Sequence, residues 1–239
     1  MAKVLIGYSC CHLTRSAFAA KGHDVWTADL LPSRDGSANH LIGDIHQFLD
    51  FGWDFAILHP MCTYLTVSGA WAFNDPDFER YPEVGFHQKV KDGTLTGAAR
   101  RAARDSELSN FRKLLDLPFP TAIENPAISF INKSIRPPDQ KINPYDFGDD
   151  ASKNTGIWLT KGTPKLKPTK RVPGRMVYAR GRFKERWGNQ TDSGQNNLPI
   201  SEDRWLIRSQ TYPGIAAAMG DQWGAWLNGQ PPSPALQER

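Results

Sequence analysis

A strand, a turn, a helix, a glycine, a second strand and an acid follow one another within about 30 residues at the start of this chain, the order of a nucleotide-binding βαβ unit. Lys3-Val4-Leu5-Ile6-Gly7 is an apolar run of the kind a strand buried on both faces requires. Residues 8–14, Tyr8-Ser9-Cys10-Cys11-His12-Leu13-Thr14, read as a small polar turn. Residues 15–22 predict a helix closed by Gly22. Asp24-Val25-Trp26-Thr27-Ala28-Asp29 predicts a second strand ending in a carboxylate, and in such a unit that acid reaches a ribose hydroxyl.

Two later runs end in the same manner. Phe55-Ala56-Ile57-Leu58 breaks into His59-Pro60-Met61-Cys62-Thr63, and Thr121-Ala122-Ile123 breaks into Glu124-Asn125-Pro126. In an open α/β sheet, side chains just past the carboxyl ends of strands line the ligand crevice. A thiol and a carboxyl delivered there point to a covalent nucleophile, Cys62, with an acid partner, Glu124. A lone cysteine after a strand is most often a small core residue, but the proline-bounded turn favours exposure of Cys62. Desolvation of Glu124 at a strand end predicts a raised pKa, and so a proton donor near neutrality.

The rest of the chain is less regular. Gly43-Asp44-Ile45 opens a turn, and residues 70–97, with Pro76, Pro82, Gly85, Gly93 and Gly97, predict a long loop. Residues 98–116 predict a helix with Leu108, Phe111, Leu114 and Leu115 on one face. Residues 156–160 predict a strand, 188–199 a loop, 214–223 a final helix and 229–239 a tail. Between 161 and 187, ten Lys and Arg stand against one acid, Glu185, which reads as a solvated face or as phosphate contacts along a nucleic acid. Phe183 and Trp187 in that stretch offer stacking surfaces, with core packing the commoner role of such residues.

The totals narrow the class. At 239 residues, 39% hydrophobic and 23% charged, the chain carries enough apolar residues for a packed core. A net charge of +4 permits a nucleic-acid partner without requiring one. Three cysteines, two of them adjacent, give no disulfide framework and fit a reducing cytoplasm. The N-terminus turns polar too soon for a signal peptide, and no apolar run approaches the ~20 residues of a membrane span. Cys10, Cys11, His12, His59 and Cys62 match no common zinc spacing, so no metal is expected.

Taken in order, the strand-turn-helix with Asp29, the Gly43-Asp44-Ile45 turn, the Pro-x-Cys turn, Glu-Asn-Pro and a C-terminal helix resemble the DNA cytosine-5 methyltransferases, above all the short phage-encoded members. The likeness is carried by residues 22–33, by His59-Pro60-Met61-Cys62-Thr63-Tyr64-Leu65, and by Arg204-Trp205 through Tyr212-Pro213-Gly214-Ile215. It implies a Rossmann-like α/β methyltransferase sheet with helices on both faces, S-adenosylmethionine as cofactor and DNA as partner. It implies that Cys62 attacks C6 of a flipped cytosine while Glu124 contacts N3. It assigns Gly7, Ser9, Asp29, Leu30, Asp44, Ile45, Pro60 and Tyr212 to the cofactor, and Thr63, Asn125 and Lys153 to the substrate. For a phage-encoded member, the setting is the host cytoplasm.

The chain departs from that pattern in four places. No glycine follows Gly7 in the first turn, Met61 separates Pro60 from Cys62, and Lys153 is the nearest basic residue to a missing Gln-x-Arg-x-Arg motif. Residues 161–200 give about forty residues to target recognition, against ~100 in an ordinary domain. The expected organisation is a catalytic core over 1–160, a small basic insertion over 161–200, a return to the core over 201–228 and the tail. Two further readings fit the same residues: an enzyme on this frame acting on a free or modified pyrimidine nucleotide without S-adenosylmethionine, and a non-catalytic DNA-binding decoy.

Overall fold

The computed structural model describes residues 1–179, 181–199, 201 and 204–229. Seven strands form one sheet in the order β3-β2-β1-β4-β5-β7-β6. These are β1 (Lys3–Gly7), β2 (Asp24–Asp29), β3 (His40–Ile42), β4 (Phe55–Leu58), β5 (Thr121–Pro126), β6 (Gln140–Ile142) and β7 (Thr155–Leu159). Strands β1 to β5 run parallel, and β7 pairs antiparallel with both β5 and β6.

Strand periodicity divides the core in two. Val4 and Ile6 of β1 and Phe55 and Ile57 of β4 face one side; Leu5, Ala56 and Leu58 face the other. The first side is covered by α1 (His12–Ala19) and α5 (Pro213–Asn228), through Phe18, Ile215, Met219 and Trp223. The second is covered by α2 (Gly97–Leu115), through Leu108, Phe111 and Leu114. Both faces being covered explains why the central strands read as continuous apolar runs. The fold is a Rossmann-like α/β sheet with helices on both faces.

Aromatic packing locks the layers. The Phe55 ring meets Trp223 and Trp226 edge-on at 5.6 and 5.8 Å, and Trp223 Nε1 donates to the Pro164 carbonyl at 2.8 Å. Losing such a buried ring typically costs about 3–5 kcal/mol. Helix α5 sits so close on α1 that a Cβ on Gly220 would lie 2.7 Å from the Ala17 Cβ.

Several boundaries differ from the sequence reading. Helix α1 starts at His12, three residues before Arg15, with extended Cys11 as its N-cap and Thr14 and Arg15 turned into the protein. Short β3, β6, α3 (Ile131–Ser134) and α4 (Arg204–Ser209) were not legible in the apolar pattern. Residues 67–73 form a 3-10 helix at the start of the long irregular segment. Within the basic stretch, β8 (Arg175–Ala179) and β9 (Arg182–Arg186) form a separate antiparallel hairpin. Trp187 is buried at its base, stacked on Tyr145 at 3.9 Å, whereas Phe183 is 68% exposed. Of the expected tail, only Gly229 lies within the described residues; 230–239 lie outside them.

Candidate active site at the carboxyl edge of the sheet

Strands β4 and β5 are parallel neighbours with Leu58 opposite Ile123, so the next residues, His59 just past β4 and Glu124 still within β5 and paired with Ile157 of β7, stand side by side. The register explains the contact: His59 Nδ1 lies 2.9 Å from Glu124 Oε2. The loop before β7 brings Lys153 Nζ to 3.4 Å from Glu124 Oε1. Both carboxylate oxygens are therefore engaged, on a side chain only 13% exposed.

These partners reverse the expected chemistry of Glu124. Burial does push its pKa upward, but the Lys153 charge and His59 outweigh burial and hold the carboxyl at about 2 instead of 4.5. Glu124 is thus an ionised hydrogen-bond acceptor in the unliganded protein rather than a proton donor near neutrality. The sequence reading counted desolvation alone and could not see two donors converging on one carboxylate.

Cys62 closes the turn after β4. Its carbonyl accepts from the amides of Leu65 and Thr66 at 3.0 Å each, which fixes the loop just beyond the thiol. The residue is exposed, yet the chain packed around the sulfur still desolvates it and pushes the thiol pKa up from 9.0. Lys153 and Arg208 pull the other way, and the Glu124 charge adds to the rise. Cys62, Glu124 and Lys153 are consequently within electrostatic reach of one another.

The supports beneath them are buried. Asn125, 3% exposed, donates from Nδ2 to the Pro60 carbonyl at 3.0 Å, tying the β5 exit to the turn that carries Cys62. Arg100 of α2 donates to the Thr63 carbonyl at 3.1 Å and to the Leu95 carbonyl at 3.2 Å. Thr63 itself is exposed. Three buried polar atoms here, His59 Nε2, Asn125 Oδ1 and Arg100 Nε, have no protein partner among the described residues. A buried polar atom left so forfeits free energy that a ligand or water recovers by bonding to it.

Of the remaining assigned residues, Gly7, Ser9, Asp29, Leu30, Asp44 and Ile45 lie at the ends of β1, β2 and β3, and Tyr212 lies apart at the start of α5. Asp29 ends β2 and accepts from the Leu31 amide through Oδ1 at 3.0 Å. Leu30, immediately beyond it, is 75% exposed, and Ile42, which pairs with Asp29 across β2 and β3, is 63% exposed. An acid beside exposed apolar side chains suits a nucleoside, whose diol binds a carboxylate and whose base needs an apolar face. Asp44 accepts from the His46 amide at 3.0 Å. Ile45 is buried under Gly7, whose added Cβ would come within 2.7 Å of the Ile45 Cδ1, so the Ile45 side chain packs and only its main chain remains for a ligand. Ser9 Oγ accepts from the Cys11 amide at 3.3 Å, just before α1, whose N-cap makes no side-chain bond. Tyr212 caps α5, and its hydroxyl accepts from Asn189 Nδ2 at 3.2 Å.

No protein-family model matches the chain, and no curated protein matches it in sequence. Among solved structures it is similar to the methyltransferase EhMeth of Entamoeba histolytica, at 14% identity and TM-score 0.42, covering 72% of this chain and 58% of that one. A prophage-encoded protein of E. coli described as a DNA modification methyltransferase gives 14% and 0.39, covering 73% and 53%. The Dnmt2 methyltransferase of S. pombe gives 13% and 0.37, covering 70% and 52%. The chain thus spans little more than half the length of the structures it matches. The fold assignment rests on strand order and register.

Three contributors were missed from the sequence. His59 was weighed only as a metal ligand; its place directly before Pro60, at a strand exit, was the available signal. Among the described residues no group of three or more His, Cys, Asp or Glu is placed to hold a metal. Arg100 looked like one of several charges on α2. Tyr8, in the left-handed region at φ 57°, takes a bond from Asn110 Nδ2 at 3.2 Å, and Asn110 Oδ1 meets His46 Nε2 at 2.8 Å. Burial pushes the Tyr8 pKa to about 12.

Proposed function

We propose that this chain is an S-adenosylmethionine-dependent DNA methyltransferase that modifies C5 of cytosine through a covalent adduct with Cys62. The observation that carries the proposal is the delivery of Cys62 and Glu124 from neighbouring parallel strands to one spot, with Lys153 on the carboxylate.

Bound S-adenosylmethionine would supply an electrophilic methyl group to C5. Asp29, with Leu30 and Ile42 beside it, would hold the nucleoside part; Ser9 and the amide-rich start of α1 would face the methionine end, and Asp44 and Tyr212 would border the site. Cys62 Sγ forms a bond to C6 of the base as the thiol gives up its proton. The C5–C6 electron pair becomes available at C5, and N3 takes up a proton. Glu124, ionised from the outset, accepts hydrogen bonds from N3–H and the amino group, with Lys153 and His59 keeping it charged. Once C5 carries the methyl group, loss of the C5 proton to solvent restores the double bond and expels Cys62 as the thiolate, while N3 gives up its proton and the thiol is regenerated.

Incubation with cytosine-bearing DNA and S-adenosylmethionine, read by nucleoside mass spectrometry, tests this. Wild-type protein yields 5-methylcytosine and Cys62→Ser yields none; a Cys62→Ser variant with undiminished activity refutes the nucleophile.

A second reading is favoured by Tyr8, whose side chain occupies a first turn that otherwise suits glycine. It is an enzyme acting on a free or modified pyrimidine nucleotide without S-adenosylmethionine. Calorimetry separates the two: cofactor binding that disappears in Asp29→Ala supports the methyltransferase, and tight pyrimidine-nucleotide binding with no cofactor binding supports the alternative.

A further inference from the structure

The β8–β9 hairpin presents two unlike faces. Its register pairs Met176 with Glu185 and Tyr178 with Phe183 on one face, and Arg175 with Arg186, Val177 with Lys184 and Ala179 with Arg182 on the other. The first face is open to solvent: Met176, Tyr178 and Phe183 are 61, 66 and 68% exposed. The two rings stand edge to face at 5.3 Å. A cross-strand aromatic pair of this kind ordinarily stabilises a sheet by covering a core. Here it covers nothing among the described residues, and the segment around it is strongly basic.

The opposite face borders a hollow of about 320 Å³, lined by Val177, Ala179, Lys184 and Arg186, with Asp192 and Ser193 across it and Tyr178 at its edge. That hollow places cationic groups beside the aromatic edge. The hairpin base is also tied to the candidate active site. Asn189, just past β9, accepts from the Ser152 amide and donates to the Ser152 carbonyl at 2.9 and 3.0 Å, one residue before Lys153.

We propose that this hairpin is a grip for an unpaired DNA strand, with Tyr178 and Phe183 stacking on bases while the sugar-phosphate backbone passes over the Tyr178 edge to the basic residues of the other face. The inference rests on the reading of the substrate as cytosine in DNA and narrows it to a single-stranded region. Aromatic platforms flanked by cations are what single strands bind, because only an unpaired base offers a free π-face. A duplex buries those faces between its stacked base pairs and leaves the aromatic pair nothing to stack on. An already unpaired cytosine also reaches Cys62 without the cost of extrusion from a helix.

The test is fluorescence anisotropy of a labelled oligothymidylate, alone and annealed to its complement, with wild-type protein and the Tyr178→Ala/Phe183→Ala double variant. Oligothymidylate contains no cytosine, so the result is independent of methylation. Wild-type protein is expected to prefer the single strand, and the double variant to bind it roughly ten-fold or more weakly with its unfolding temperature unchanged. Tyr178→Trp, introduced with Phe183 intact, should keep the single-strand affinity of the wild type. Equal binding by the double variant, or a preference for the duplex, overturns the proposal. So does loss of self-association in sedimentation of the variant without loss of DNA binding, which would assign the face to a second copy of the chain. Methylation of duplex DNA with no hairpin effect would leave the methyltransferase reading standing and remove this one. Single-strand binding without any methyl transfer would do the reverse.

Discussion

Replacing Lys153 with Met should destabilise the protein through Glu124 and slow the chemistry of Cys62 at once. The carboxyl sits at about 2 where 4.5 is ordinary, a difference worth roughly 3 kcal/mol at 1.36 kcal/mol per pH unit. That gain is the net of opposing effects, burial against Lys153 and His59. Lys153 is 36% exposed on its side chain, so solvent screens part of its charge, and removing it should cost about 1–2 kcal/mol. The sign follows from a lowered folded pKa: the stabilisation is complete above about 4.5 and fades as pH falls through about 2. Urea unfolding at pH 7 and at steps below pH 4.5 measures it, with the gap between wild type and variant full at neutrality and closing in acid. In parallel, alkylation of Cys62 by iodoacetamide at pH 8, followed by peptide mass spectrometry, should slow, because Lys153 is the largest influence lowering that thiol's pKa. A stability gap that stays constant with pH would refute the argument, since it would mark lost packing and not lost charge.

Asn125→Ala should cost about 1–2 kcal/mol in urea unfolding, because it strands the Pro60 carbonyl and frees the turn that carries Cys62. Gly220→Ala should lower the thermal midpoint, as its Cβ would sit 2.8 Å from the Ala17 backbone carbon and oxygen in the α1–α5 contact; overpacking of this kind costs about 1–3 kcal/mol. The rate of Cys62 alkylation should go on climbing above pH 9, since the thiol pKa is raised from 9.0, and a plateau by pH 8 would contradict the desolvation argued for it.

The sheet was legible where one residue pattern could mean one thing. Val4-Leu5-Ile6 and Phe55-Ala56-Ile57-Leu58 are buried on both faces, so their apolar runs announced central strands. His40–Ile42 and Gln140–Ile142 are edge strands of three residues, among which only Ile142 is buried, and so carry no such run. The hairpin was hidden for a related reason: its outward face is aromatic and its inward face basic, the reverse of the usual core-and-surface pattern. At the site, Cys62 and Glu124 could be picked because each comes where a short apolar run breaks into polar residues and a proline, although Glu124 proves to lie within β5. Their protonation could not, because it depends on Lys153 and His59 arriving from other segments.

Those protonation states bear on how such a site would work. At rest, the thiol is held neutral by desolvation and the carboxylate is held charged by its partners. Ionising Cys62 early would place a second negative charge near Glu124 in a partly desolvated pocket, which Coulomb repulsion disfavours. The arrangement therefore favours losing the thiol proton only as sulfur meets the base, when the new charge passes into the ring and is neutralised at N3. In that mechanism Glu124 would have an N3–H to accept from, and its low pKa would be an asset, because an ionised carboxylate is a stronger acceptor than a neutral acid and favours the N3-protonated ring. On the proposed mechanism Lys153 and His59 would be positioning residues for a charge, and Glu124 would contribute by electrostatics where the sequence had pointed to acid catalysis.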